Sequence, residues 1–419
     1  MRSRATRIRR LPFFYGWAIL GCVMGSNVAR QAAAVATLSM FIVPMTLEFG
    51  WSRAAISGAV SFGALLGALA APFAGPLFDR HGSRALLVGA AIVVAACSAA
   101  LAGTTTLAWF YAAFGLSRFM FSAPFDVGTT AAVAKWFVRR RARAMALLSM
   151  STGLGLAVLP PLAQLVIGAQ GWRTGWLALA GVVLLVGVLP QWLLLVRQPE
   201  DVGLQPDGAR TAMEEAQRGA PPEAAYTRAQ AMASPALWLL MAYTLLVFPV
   251  QAGLSLHQVP HLVERGLSPG TAAAVVSIFS ISAAAASLAF GALGDRVPVR
   301  ASLASSALLL AAAAAAMRAV DGPLLGFAGA ILFGAGIGGL LTMLPVAWAN
   351  YFGRAHFGAI RGVTLPAQVA GQAAGPLLAG SLHDATGDYA LGMEVFAGLS
   401  MAAAVIAVFA RPPGRGRGS

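Results

Sequence analysis

Apolar stretches of twenty residues or more recur along this chain, and they constrain its fold more than any other feature. A helix that crosses the hydrocarbon core of a bilayer needs about 20 consecutive apolar residues. Twelve stretches read as such spans, at about 14–43, 53–77, 84–103, 107–135, 142–168, 173–196, 235–257, 269–294, 300–318, 323–350, 358–382 and 388–410. Gly and Pro inside them are compatible with membrane helices, because neighbouring helices re-satisfy freed backbone groups. A membrane β-barrel shows short alternating segments instead. Only 11% of the 419 residues are charged, against about a quarter in a soluble domain. The expectation is an all-α polytopic membrane protein with twelve transmembrane helices. The opening MRSRATRIRRLPFFYGWAILGCVMG imitates a signal peptide, but its apolar run continues to about Val43 with no small-residue cleavage site. It reads as an uncleaved first helix.

The net charge of +14 raises nucleic acid as a partner, and the distribution of charge answers it. With the N-terminus inside, 23 of the 29 basic residues fall in segments on the cytoplasmic side, including five between spans 4 and 5 and two between spans 10 and 11. The outer loops hold four: Arg53, Arg173, Arg265 and Arg318. Arg30 and Arg118 remain, inside spans. This is the positive-inside bias. It places both termini in the cytoplasm and accounts for the basicity without nucleic acid. A single lysine among the basic residues suggests a GC-rich bacterial source, hence an inner (plasma) membrane. Cys22 and Cys97 fall within spans and read as small buried hydrophobes rather than a disulfide framework.

The chain divides in two. Residues 1–196 hold six spans, 197–234 read as a Pro-, Gly- and charge-rich cytoplasmic linker, 235–410 hold six more, and 411–419 form a tail. Gly75 and Gly291, Glu48 and Glu264, and Gly171 and Gly387 are each 216 residues apart. So steady an offset argues for duplication of a six-helix unit, giving two pseudo-symmetric bundles. Parallel repeats of this kind imply a site near the midplane, opened alternately by rocking.

Gly75-x-x-x-Asp79-Arg80-x-Gly82-x-Arg84 resembles the signature between spans 2 and 3 of the major facilitator superfamily, and Gly291-x-x-x-Asp295-Arg296-x-Pro298-x-Arg300 resembles its second copy. The resemblance covers essentially the whole chain and implies the major facilitator fold and a cytoplasmic gate at these residues. Physically, Asp79 ends a helix where it can accept charge-assisted bonds from arginines or cap a neighbouring helix N-terminus; the alternative is a topology anchor only. YGW at 15–17, EFGWSRAAIS at 48–57, KWFVRRRARAMALLSMSTGLG at 135–155, GWR at 171–173 and RQPEDVGLQPDG at 197–208 are similar to the monocarboxylate transporter and oxalate:formate antiporter branch. That branch often carries an arginine in span 8 as a carboxylate counter-charge. Here that position is Ser287, and a second position used for an acidic partner is Ala283.

Charge inside a span is costly, so each instance needs a reason. Arg30, with Asn27 and Gln31 on the same helix, is read as a substrate-binding group for a carboxylate or other anion; the alternative is a structural arginine. Arg118 lies in GLSR, which resembles the superfamily's span 4 motif tied to proton coupling; the alternative is a buried organising role. Asp126 lies eight residues on, too far for pairing within one helix, and is the carboxylate best placed to carry a proton; the alternative is a fixed ion pair with Arg30. His257, His261 and Glu264 imitate metal-ligand spacing, but Pro260 disrupts the helix between the histidines, and no metal is expected. His257 and Gln258 read as cavity-edge groups, and Gln368 and Gln372 share a face of span 11, for substrate or for helix–helix bonding.

The function expected is secondary active transport of a small organic solute, an anion such as a monocarboxylate, coupled to protons and needing no cofactor. An exporter or antiporter of a neutral or cationic solute and a non-transporting sensor are the alternatives. No HExxH or GxxxxGK[ST] occurs, which argues against a zinc hydrolase or an ATP-driven pump. Oligomeric state is not legible.

Overall fold

The computed structural model describes residues 12–51, 53–208, 225–294 and 296–413. Among the described residues there are twelve long helices: α1 (Gly16–Phe49), α2 (Arg53–His81), α3 (Ser83–Ala102), α4 (107–136), α5 (Arg141–Gln170), α6 (Trp172–Leu194), α7 (Pro235–Glu264), α8 (Pro269–Leu293), α9 (Val299–Arg318), α10 (Pro323–Phe352), α11 (Phe357–Thr386) and α12 (Ala390–Phe409). Ten of these are long and apolar enough to cross a membrane by length and composition. The other two are α4, interrupted by a π turn, and α11, which carries Arg361, His383 and Asp384.

Three local features differ from the expectations. The motif around Asp79 is mostly helical: α2 runs to His81, and Gly82, at φ 79°, makes the whole turn into α3. Only glycine adopts that backbone region without strain. α7 continues unbroken through Pro249 and Pro260 to Glu264, so Pro260 does not interrupt the helix; in a packed bundle the freed carbonyls find other partners. α1, by contrast, is broken where no proline stands. It runs Gly16–Ala29, tightens into a 3₁₀ turn at Arg30–Ala33, passes through extended Ala34 and resumes at Val35–Phe49. The Thr37 hydroxyl donates to the Gln31 carbonyl at 2.6 Å, repairing one of the groups the break releases. α4 has its own irregularity, a π turn at Phe121–Phe125 around Pro124, whose missing N–H removes one rung of the helical ladder.

By compactness the chain forms two units. The first holds residues 1–139, 150–223 and Arg354–Leu365; the second holds 140–149, 224–353 and 366–419. Thus α5 begins in the second unit and α11 begins in the first. In the first unit Phe41 stacks on Trp176 at 3.9 Å between ring centroids, and Phe110 stacks on Phe114. In the second, the glycines of GAGIGG at 334–339 serve close packing. A methyl at Gly334 would strike the Phe279 carbonyl and one at Gly338 the Ala283 carbonyl, so α8 and α10 approach almost backbone to backbone.

Candidate functional site

Two irregular helices of the first unit, α1 and α4, supply three of the four charges in its cluster. Arg30 sits at the start of the α1 break, and Arg118 and Asp126 flank the π turn of α4. The Asp126 carboxylate lies 3.6 Å from the Arg30 guanidinium and 2.9 Å from that of Arg361. Arg361 also donates to the Thr364 hydroxyl at 3.3 Å. Arg118 makes no ion pair among the described residues. Its guanidinium donates to the Ala33 carbonyl in the α1 break at 3.4 Å and lies over the Phe121 ring at 4.1 Å. Arg30 also approaches that ring, at 4.4 Å, so two cations share one aromatic face system. The Nε atoms of Arg30 and Arg118 are buried without a hydrogen-bond partner. Two guanidiniums therefore share the Asp126 carboxylate, and a third, that of Arg118, meets Arg30 at the Phe121 ring with no carboxylate of its own among the described residues. Uncompensated positive charge at membrane depth is unfavourable, and an anion is the natural complement.

Arg361 was missed on the sequence, where it counts among the basic residues between spans 10 and 11. It lies inside α11, with its side chain 4% exposed. The signal against a loop position was slight: the apolar run of span 11 opens only three residues before it. Asn27 and Gln31 are engaged elsewhere. Asn27 donates to Ser151 at 3.0 Å and Thr152 at 2.8 Å on α5, and Gln31 donates to the Asn27 carbonyl at 3.1 Å. Both are buried.

The motif at the end of α2 adopts the helix-capping arrangement. Asp79 accepts from the Gly358 and Ala359 N–H groups at 3.2 and 2.8 Å, at the N-terminus of α11, and Lys135 lies 3.7 Å away. A carboxylate at a helix N-terminus satisfies free donors and the helix dipole together. Gly75 permits the approach, because a methyl there would strike the Gly358 carbonyl. Arg84 donates to the Trp192 carbonyl at 2.5 Å, and Arg80 is exposed. In the second unit Gly291 takes the matching place, facing Ala146 and the Ala142 carbonyl of α5. Ala142 and Ala146 precede Gly358 and Gly362 by the same 216 residues. Asp295 lies outside the described residues; Arg296 is exposed and Arg300 half-buried.

The remaining candidates lie in the second unit. His257 contacts the Tyr389 hydroxyl at 3.1 Å and the Pro376 carbonyl at 3.2 Å, while His261 contacts the Met317 carbonyl at 2.7 Å. The two histidines thus serve different partners, and among the described residues no group of three or more His, Cys, Asp or Glu side chains is placed to hold a metal. Gln372 donates weakly to Gln251 at 3.5 Å, Gln258 is buried with its carbonyl oxygen unpartnered, and Gln368 is half-buried on α11. Ser287 donates to the Gly338 carbonyl at 3.3 Å, a packing contact where the related branch has an arginine.

Among known proteins, the chain is 28% identical over 430 residues to a 3-(3-hydroxy-phenyl)propionate transporter of Escherichia coli (strain K12), covering 97% of this chain and 96% of that protein. It is 24% identical to monocarboxylate transporter 12 of Rattus norvegicus, covering 90% and 81%. Its fold is similar to the human organic anion transporter MFSD10 (TETRAN), with a TM-score of 0.72 at 16% identity over 95% of this chain and all of that one. It is also similar to FucP in the outward conformation, with a TM-score of 0.71 at 14% identity over 97% and 100%. The family model of the Major Facilitator Superfamily matches residues 24–268 and 255–419. The chain is an integral membrane transporter, not an enzyme, and belongs to the Major Facilitator Superfamily.

Proposed function

We propose that the protein is a secondary active transporter of a small organic anion, an alkyl or aryl monocarboxylate, working by alternating access with proton coupling. The observation that carries this reading is the charge balance of the first unit: Arg30 and Arg361 share one carboxylate, and Arg118, beside Arg30 at the Phe121 ring, has no ionic partner among the described residues. A monocarboxylate received by Arg118 and Arg30 completes the balance with charge-assisted hydrogen bonds. The names of the relatives, a hydroxyphenylpropionate transporter and monocarboxylate transporters, point to the same class. Asp126 is the proton carrier in this reading. Its protonation weakens the hold on Arg361 and Arg30 together, which links proton binding to both the site and α11. The Asp79 cap on α11 then acts as the gate on the cytoplasmic face of a bacterial inner membrane, with both termini on that side.

The test is ligand-induced thermal stabilisation of the purified protein, since a ligand at 100 times its Kd adds about 2.7 kcal/mol to stability. Wild type, Arg118→Ala and Arg30→Ala are compared against 3-phenylpropionate, lactate, oxalate, sorbitol and choline. We expect a rise in Tm with a monocarboxylate that vanishes in Arg118→Ala. A rise only with sorbitol or choline, retained in Arg118→Ala, refutes the anion site.

A further inference from the structure

The motif RQPEDVGLQPDG, at the head of the linker, has no part in the anion site, yet its acidic residues have defined partners on the first unit. Pro199 opens a 3₁₀ turn over Pro199–Val202, Val202 is buried, and Gly203 closes the turn at φ 69°. Glu200 pairs with Arg354 at 2.6 Å. The same Arg354 guanidinium donates to the Lys135 carbonyl at the end of α4, at 3.0 Å. Asp207 accepts from the Val138 and Arg139 N–H groups, at 3.0 and 2.6 Å, in the turn that leads out of α4. Arg197 pairs with Asp201 at 3.3 Å, and its stem lies where a side chain at Gly82 would stand. Three carboxylates of one short segment thus each meet a cation or a pair of free amide donors.

These contacts end where the gate begins. Arg354 is four residues before Gly358, and Lys135, whose carbonyl Arg354 holds, points its ammonium at Asp79. Gly82, which turns α2 into α3, is also a seat for Arg197 of the linker. We propose that residues 197–207 form a strap that holds Arg354–Leu365, the beginning of α11, against α2 and α4, with Arg354 as its buckle. Opening the Glu200–Arg354 contact loosens the Asp79-capped end of α11 while the rest of the first unit stays packed. The strap acts on the gate and touches no substrate, so Arg354 and Glu200 are positioning residues, and the strap stands whether or not the transported solute is an anion.

The experiment uses the full chain in detergent, with Cys22 and Cys97 replaced by serine and Ala359, only 6% exposed, replaced by cysteine as a reporter. The rate of labelling by a fluorescent maleimide is read in this parent and in Glu200→Gln, Arg354→Lys and Arg354→Gln. A second series keeps only the native, buried Cys97 as the reporter of global loosening. Glu394→Gln, which breaks the exposed Arg318–Glu394 pair of the second unit at 3.0 Å, is the control. We expect labelling at position 359 to rise about two- to fivefold in Glu200→Gln and Arg354→Gln, the range for loss of a partly exposed ion pair. Arg354→Lys should fall between parent and Arg354→Gln, with Cys97 unreactive throughout. Unchanged labelling in Arg354→Gln overturns the strap. So does an equal rise in Glu394→Gln, or a rise at Cys97 that parallels position 359. If Glu200→Gln does not fold, the graded pair Arg354→Lys and Arg354→Gln decides alone.

Discussion

The two six-helix repeats share a scaffold and differ in what they place at mid-depth. Shifted by 216 residues, Arg30, Arg118 and Asp126 fall on Leu246, Gly334 and Thr342, and Arg361 shifted back falls on Met145. None of these counterparts ionises. The backbone follows the same asymmetry. α4 is interrupted by a π turn and its counterpart α10 is a continuous helix of 30 residues; α1 is broken at Arg30–Ala33 and its counterpart α7 runs unbroken through two prolines. Where the first unit has Arg118, the second has Gly334, which brings α10 against the backbone of α8. Irregular backbone at membrane depth is tolerated where protein or a cavity satisfies it; in α1 and α4 it accompanies the charges, whereas the π turn of α6 at Val183–Val188 carries none. The difference shows that paired positions need not carry the same charge: Arg30, Arg118 and Asp126 come from the first repeat, where α1 and α4 are irregular, and Arg361 alone comes from the second.

The sharpest way to break this comparison is to remove the centre of one cluster and its uncharged counterpart. Asp126→Ala leaves Arg30 and Arg361 without their carboxylate, and should cost about 3 kcal/mol, the lower end for a buried pair since its side chain is 19% exposed. Thr342→Ala removes a buried hydroxyl that has no partner and should change stability by less than about 1 kcal/mol. Thermal denaturation in detergent reads both, and equal losses would mean that the charges are not what distinguishes the repeats. The next effect concerns the paired crossings. Gly75→Ala drives a methyl into the Gly358 carbonyl and Gly291→Ala into the Ala146 methyl and the Ala142 carbonyl. Each should cost about 1–3 kcal/mol by overpacking, Gly75→Ala the more, because a backbone carbonyl yields less than a methyl. Comparable losses would show the crossings to be equivalent despite the charged cap beside one of them. The smallest effect is at the far ends of the repeats. Glu48 binds Arg173 in two-pronged fashion, at 2.6 and 2.8 Å, and also accepts from Trp172. With 38% and 44% of the two side chains exposed, Glu48→Gln should lower Tm the least of these variants, and less still in high salt.

The twelve helices were legible in the sequence, because apolar length is a local property of a chain. So were three of the four charges in the cluster, since a charge inside an apolar run declares itself. Arg361 did not, because it stands near the start of its apolar run and what buries it is Asp126, 235 residues earlier. The same holds for the choice at Asp79 between an arginine partner and a helix cap, for the partners of Asn27 and Gln31 on α5, and for the break of α1. The unbroken course of α7 through Pro260 ran against the local rule for proline, and tertiary packing overrode it. What the sequence alone determined is where the chain can enter apolar surroundings and where it carries charge. Which charges face one another is decided only by packing, because an ion pair in a low-dielectric interior depends on a few ångströms between residues whose separation along the chain carries no information about distance.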